Sequence, residues 1–135
     1  MTEFFSIKKA IYLFLTDKAI TPYLYYRELP QNPTYPATVY DVISDIAIDH
    51  THDYGVVGFR RARVQLDVYA ETVEPAEDAM EKYFASLAGF KGSLGVPGFT
   101  DVSIFDAGSN PDLDFEEEPT LRRIEGRSRD FMILY

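Results

Sequence analysis

The chain contains no cysteine and no tryptophan, only two histidines, and 13 basic residues against 22 acidic ones. Without cysteine there is neither a disulfide framework nor a thiolate to act as nucleophile or metal ligand. A net charge of −9 has the wrong sign for tight, sequence-independent nucleic-acid binding, which needs a clustered positive surface. Long hydrophobic runs are also missing. The stretch "AIYLFL" near the N-terminus is too short to span a bilayer or to serve as a signal core. These absences predict a soluble cytosolic protein with no membrane partner.

What is present is ample for folding. In 135 residues, 46% are hydrophobic and 15% aromatic, enough for one domain over 1–135 with a single core. Residues 3–18 predict a helix, because Phe4, Ile7, Ala10, Ile11, Phe14 and Leu15 recur at spacings of three and four. Thr21-Pro22 marks its end, since the residue before proline avoids the helical region. "YLYYRELP" (23–30) reads as a short aromatic strand and "NPTYP" (32–36) as a turn. Residues 37–48 are rich in β-branched groups and predict a longer strand. Tyr40, Val42, Ser44, Ile46 and Ile48 share one of its faces; Ala37, Val39, Asp41, Ile43 and Asp45 share the other.

The clearest pattern is "RRARVQLDVYAETVEPAEDAMEKYFASLAGFKG" (60–92). Val64, Leu66, Val68 and Ala70 alternate with Arg63, Gln65, Asp67 and Tyr69, as in a half-buried strand. Pro75 then opens a helix at its first position, burying Ala76, Ala79, Met80, Tyr83, Phe84 and Leu87, with Gly89 as its C-terminal cap. "GFKGSLGVPG" (89–98) is a connector, and residues 100–108 form another strand. An acidic stretch at 110–119 follows, then Arg122, Arg123, Arg127 and Arg129, and finally "RDFMILY". That last run is apolar on both faces, as expected of a central strand or one covered by a partner. The order predicts an α+β fold, with a mainly antiparallel sheet and two helices packed on one face.

Few residues suggest chemistry. His50 and His52 would project to one side of a strand and could share a metal with Asp49 or Asp53, but no third strong ligand is near and a solvated loop is the expectation. The glycines of 89–98 follow a helix C-terminus, whereas phosphate loops open a helix N-terminus. There is no G-x-S-x-G. No catalytic residue, metal or cofactor is expected.

In this order and length the chain resembles the tail-completion family of long-tailed phages, the tail terminator and tail-to-head joining proteins. The resemblance rests on the N-terminal helix, "YPATVYDVIS" (35–44), "RRARVQLDVYAET" leading into the helix 75–88, "LAGFKG" (87–92) and "RSRDFMILY" (127–135). Arg63, Gln65, Asp67, Tyr69 and Ala70 match the "R-x-Q-x-D-x-Y-A"-like strand that recurs in that family. It implies a structural virion protein, not an enzyme, forming a homo-oligomeric ring, usually a hexamer. Its partners would be the tail tube protein and head-tail connector proteins, with DNA passing through the lumen without specific binding. It would reside in the tail or neck of the virion, and in the host cytoplasm during assembly. Arg60, Arg61, Arg63 and Gln65 are then expected at a subunit interface. The acidic loop or hairpin at about 106–126, with Asp112, Asp114, Glu116, Glu117 and Glu118, is expected to face the lumen or dock on a neighbour. The alternative is a small cytosolic α+β domain that binds a ligand or another protein.

Overall fold

A computed structural model of the chain describes residues 6–47, 60–118 and 121–135. The first helix, α1 (Ile7–Lys18), starts later than the apolar periodicity suggests because Ser6 caps it. The Ser6 hydroxyl accepts from the Lys9 amide at 3.2 Å, satisfying a donor that has no acceptor within the helix. Ala19 ends the helix in a left-handed conformation (φ 51°), before Thr21 and Pro22.

Six further strands and one helix follow the short strand β1 (Tyr23–Tyr26): β2 (Ala37–Ala47), β3 (Arg60–Ala70), α2 (Val73–Leu87), β4 (Lys91–Gly92), β5 (Val102–Ser109), β6 (Phe115–Glu117) and β7 (Arg122–Leu134). Helix α2 begins two residues before Pro75, with Thr72 as the extended residue at its cap. Pro75 therefore occupies the third helical position, not the first. Either position tolerates proline, since N–H groups of the first turn lack helical acceptors.

The sheet runs β1-β2-β3-β7-β5-β4, with β6 pairing β7. The sheet is not the mainly antiparallel one that the sequence predicts: it is mixed and curls into a half-barrel with the two helices. The parallel part is β1 against β2, in register from Tyr23 with Ala37 to Tyr26 with Tyr40. Residues 27–36 carry the chain back along the sheet instead of reversing it in a hairpin. Strand β7 lies in the middle, with β3 on one edge and β5 and β6 on the other. This is the place its apolar run predicts.

One core joins both helices to the sheet. Ala62, Val64, Leu66 and Val68 alternate inward along β3 and are nearly free of solvent. Val64 pairs with Phe131 of β7, and Ile133 lies between Ala62 and Ile104. Ile11, Leu15, Tyr83 and Leu87 of the helices belong to the same cluster. Each fully buried large apolar side chain contributes roughly 1.5–3 kcal/mol. The expectation for Phe84 fails, since it stays 37% exposed. The Arg129 guanidinium stacks over its ring at 4.8 Å, covering it from the β7 side.

The faces of β2 also differ from simple alternation. The register against β3 shifts between Val42 and Ser44. This bulge turns Asp45 to the helix side, opposite Ala62, and sends Ser44 and Ile46 outward, opposite Arg63 and Arg61.

Candidate functional site: the uncovered face of the sheet

The helices cover one face of the sheet. On the other, the odd-numbered residues of β3 meet the even-numbered residues of β7: Arg63 pairs with Met132, Gln65 with Asp130, and Asp67 with Ser128. Asp130 is only 6% exposed and Ser128 only 3%, so both need polar partners. Arg63 Nε donates to Asp130 Oδ2 at 2.7 Å. Asn110 spans the other side, donating to Asp130 Oδ1 at 2.7 Å and to Ser128 Oγ at 2.9 Å. Gln65 donates to Asp67 at 2.9 and 3.2 Å. Burial pushes the Asp67 carboxyl above its ordinary value; hydrogen bonds from Ser128 and Gln65 act against this, while Asp130 adds to it. The result is a polar seam, closed on itself, in which Asp67 is bonded by neutral donors.

Beside the seam the face is apolar. Ile43, Ile46 and Phe105 are 48%, 50% and 45% exposed, with half-buried Met132 and Leu134 among them. The four residues expected at an interface separate into three groups. Arg60 lies on the helix side, bonded to Asp45 and stacked 5.2 Å from the Tyr135 ring, whose hydroxyl also donates to Asp45. Arg63 and Gln65 belong to the seam. Arg61 is exposed and has no ion pair or hydrogen bond among the described residues, with Ile46 and Leu134 as its cross-strand neighbours.

The acidic segment folds back on the chain's own arginines. Leu113 N–H donates to Gly126 O at 3.0 Å, and β6 then pairs with Arg122, Arg123 and Ile124. Asp106 accepts from Arg129 at 2.7 Å. Asp114 accepts from the Gly126 amide at 3.0 Å and from Arg123 at 2.9 Å, and lies 3.2 Å from Arg127. The Gly126 amide, Glu125 and these arginines hold the Asp114 carboxyl below its ordinary value. Glu117 takes bonds from the Tyr35 hydroxyl and Arg122 and is likewise lowered. Asp112 is exposed, 3.7 Å from Arg127. Glu116 and Glu118 are exposed and unpaired among the described residues. They border a groove of about 420 Å³ whose walls include Pro30, Pro33, Tyr35 and Phe115.

The metal reading falls on Asp49, His50, His52 and Asp53, which lie outside the described residues. Among the described residues no group of three or more histidines or carboxylates converges as metal ligands would. The glycine-rich connector 89–98 contains β4 and leads into β5, with no helix after it. Sequence reasoning missed Asn110, Ser128 and Asp130. The signal was present in the alternation of β7, where Ser128 and Asp130 continue the polar face of β3 once the two strands are paired. Chemically, the uncovered face can recognise another surface through apolar contact and charge.

Comparison with protein-family models finds no match, and comparison with curated proteins finds none either.

Proposed function

We propose that this chain is a structural protein of a long-tailed phage or phage-derived particle, without enzymatic activity. It assembles as a ring, six copies being the expected number, that caps the tail tube, ends tail growth or joins tail to head. Its partners are further copies of itself, the tube protein and connector proteins. DNA passes through the lumen without specific binding, and the protein resides in the virion after assembly in the host cytoplasm.

The observation that carries this reading is the sheet face turned away from the two helices. This face satisfies its buried polar groups internally, yet leaves Ile43, Ile46 and Phe105 exposed beside Arg61, which has no partner among the described residues. Exposed apolar groups grouped in this way mark a surface for association. The rival reading, a small ligand-binding domain, draws less support. The cleft of about 340 Å³ between α2 and β7 is crossed by Arg127, which lies 3.2 Å from Asp114 and 3.5 Å from Glu77. Its charged groups neutralise one another instead of awaiting a ligand.

Tail tubes polymerised from their purified tube protein, with and without this chain, provide the test. Electron microscopy should show a ring at one end of each tube and tubes that stop lengthening. Tubes that stay uncapped and keep growing at saturating protein overturn the proposal.

A further inference from the structure

We infer a head-to-tail contact between copies of this chain, in which Arg61 of one copy enters the groove formed by Tyr35, Phe115, Glu116 and Glu118 of the next. The two surfaces stand at opposite ends of the molecule. Arg61 is the second residue of β3, whereas Phe115 packs edge-on against Tyr69 near the strand's end, with ring centroids 5.7 Å apart. Eight residues of strand separate Arg61 from Tyr69 by about 26 Å at ~3.3 Å per residue. A second copy displaced along the strand direction therefore brings one end against the other.

The chemistry of the two ends is complementary. Arg61 is an exposed cation without a partner among the described residues, flanked by half-exposed Ile46 and by Leu134. The groove offers Pro30 and Pro33 to apolar neighbours, and two exposed carboxylates, Glu116 and Glu118, to a cation. Its wall already accommodates one guanidinium. Arg122 lies 5.6 Å from the Tyr35 ring centre while bonding to Glu117. A planar, forked cation that stacks on rings and bonds to carboxylates suits such a wall better than an ammonium does.

A contact between two different surfaces is heterologous, so it repeats from copy to copy and closes only when the rotation allows. The inference deepens the ring reading and rests on it for closure, since it names the surfaces that would meet.

Sedimentation velocity of the full chain, from micromolar to millimolar protein at low and high salt, tests it. Wild type should self-associate, less so at high salt, because exposed charges are screened. Arg61→Glu alone, and Glu116→Arg with Glu118→Arg alone, should each weaken association by about tenfold or more while melting like wild type. An equimolar mixture of the two variants should restore it, because each basic end then faces an acidic one. A wild type that stays monomeric throughout, variants that associate like wild type, or a mixture that fails to recover overturns the contact. Tubes capped normally by Arg61→Glu would remove this contact and leave the ring reading standing. Wild type that associates as described but never caps a tube would do the reverse.

Discussion

Tyr83 of α2 and Thr38 of β2 meet through their hydroxyls at 2.7 Å inside the core, and Thr21 completes the group at 2.7 Å from Thr38 and 3.4 Å from Tyr83. Three hydroxyls can satisfy one another only because the end of α1, the second strand and the second helix converge there. Tyr83 and Thr38 are at most 1% exposed, so water cannot replace a lost partner. Tyr83→Phe should cost about 1–3 kcal/mol, the penalty for leaving buried polar groups short of partners. Urea unfolding followed by circular dichroism measures it. A loss below a few tenths would mean that the hydroxyls do not act together.

Gly126 holds the acidic segment down by having no side chain. A Cβ there would sit 2.7 Å from Leu113 O and 2.9 Å from both Leu113 Cβ and the Tyr69 ring. The first of these neighbours is backbone, so it cannot swing aside. Gly126→Ala should destabilise the fold by about 1–3 kcal/mol, as overpacking does, and free the Leu113 amide from its bond to Gly126 O. Hydrogen exchange at Leu113 should accelerate in the variant while amides of β3 remain protected.

The elements that the sequence announces are those whose pattern is local. Period-two alternation marks β3, and a stripe of period 3.6 marks α2, because each buries one face against the same core. The parallel β1 is different. Nothing in "YLYY" specifies a direction; that depends on how residues 27–36 fold back, and the turn residues there suggest a hairpin equally well. The bulge in β2 is also set by pairing, since Val42 and Ser44 differ in face only relative to β3. The seam stayed hidden for a related reason. Asp130 reads as one more surface acid until β7 is placed beside β3 and Asn110 beside both. The arginines at 60, 61 and 63 look alike in sequence, yet among the described residues the pairing leaves only Arg61 of the three without a partner.

That separation has a measurable consequence. Removing Arg63 leaves the nearly buried Asp130 with Asn110 alone, so Arg63→Ala should cost about 1.5–3 kcal/mol, the range for hydrogen bonds to charged groups. Arg61→Ala touches no bonded partner among the described residues and should stay within about 0.5 kcal/mol of wild type. Parallel urea titrations compare them. Equal losses would show that the seam contributes nothing specific. Charge reversal at Arg63 is thus unsuitable for probing assembly, and Arg61 is the position to use.

Asp67 should behave in the opposite sense. Burial raises its carboxyl above the ordinary 3.8, and the groups bonded to it, Gln65 and Ser128, carry no charge. An acid raised in the folded state lowers stability as pH climbs from the unfolded value through the folded one, and the full cost applies at neutral pH. Asp67→Asn removes that cost. The variant should melt above wild type at pH 7, with the gap shrinking towards pH 3, and thermal scans across that range would show it. A wild type that melts higher at pH 7 would mean that the second carboxylate oxygen matters more than its desolvation.

The acid limit of the segment 106–118 follows from Asp114. Its carboxylate faces the Gly126 amide, Glu125 and the guanidinium groups of Arg123 and Arg127, and the Gly126 bond is the largest cause of its lowered value. A depressed acid stabilises the fold above the unfolded value, here 3.8, and the contribution disappears as pH falls through the folded value. As pH falls below about 3.8 and through the lower folded value the segment should therefore loosen from β7, while the apolar pairing of Val64 with Phe131 persists. Tyr69 and Phe115, which depend on no charge, should separate only after the ionic contacts fail. Nuclear magnetic resonance can follow the Gly126 amide and the Phe115 ring during the titration. In Asp114→Asn the Gly126 amide keeps an oxygen acceptor, but Arg123 and Arg127 each lose one of their charge partners. Its amide shift should then be nearly flat in the window where wild type titrates. A variant that titrates like wild type would assign the transition to another carboxylate, with Glu117 beside Tyr35 and Arg122 the next to replace.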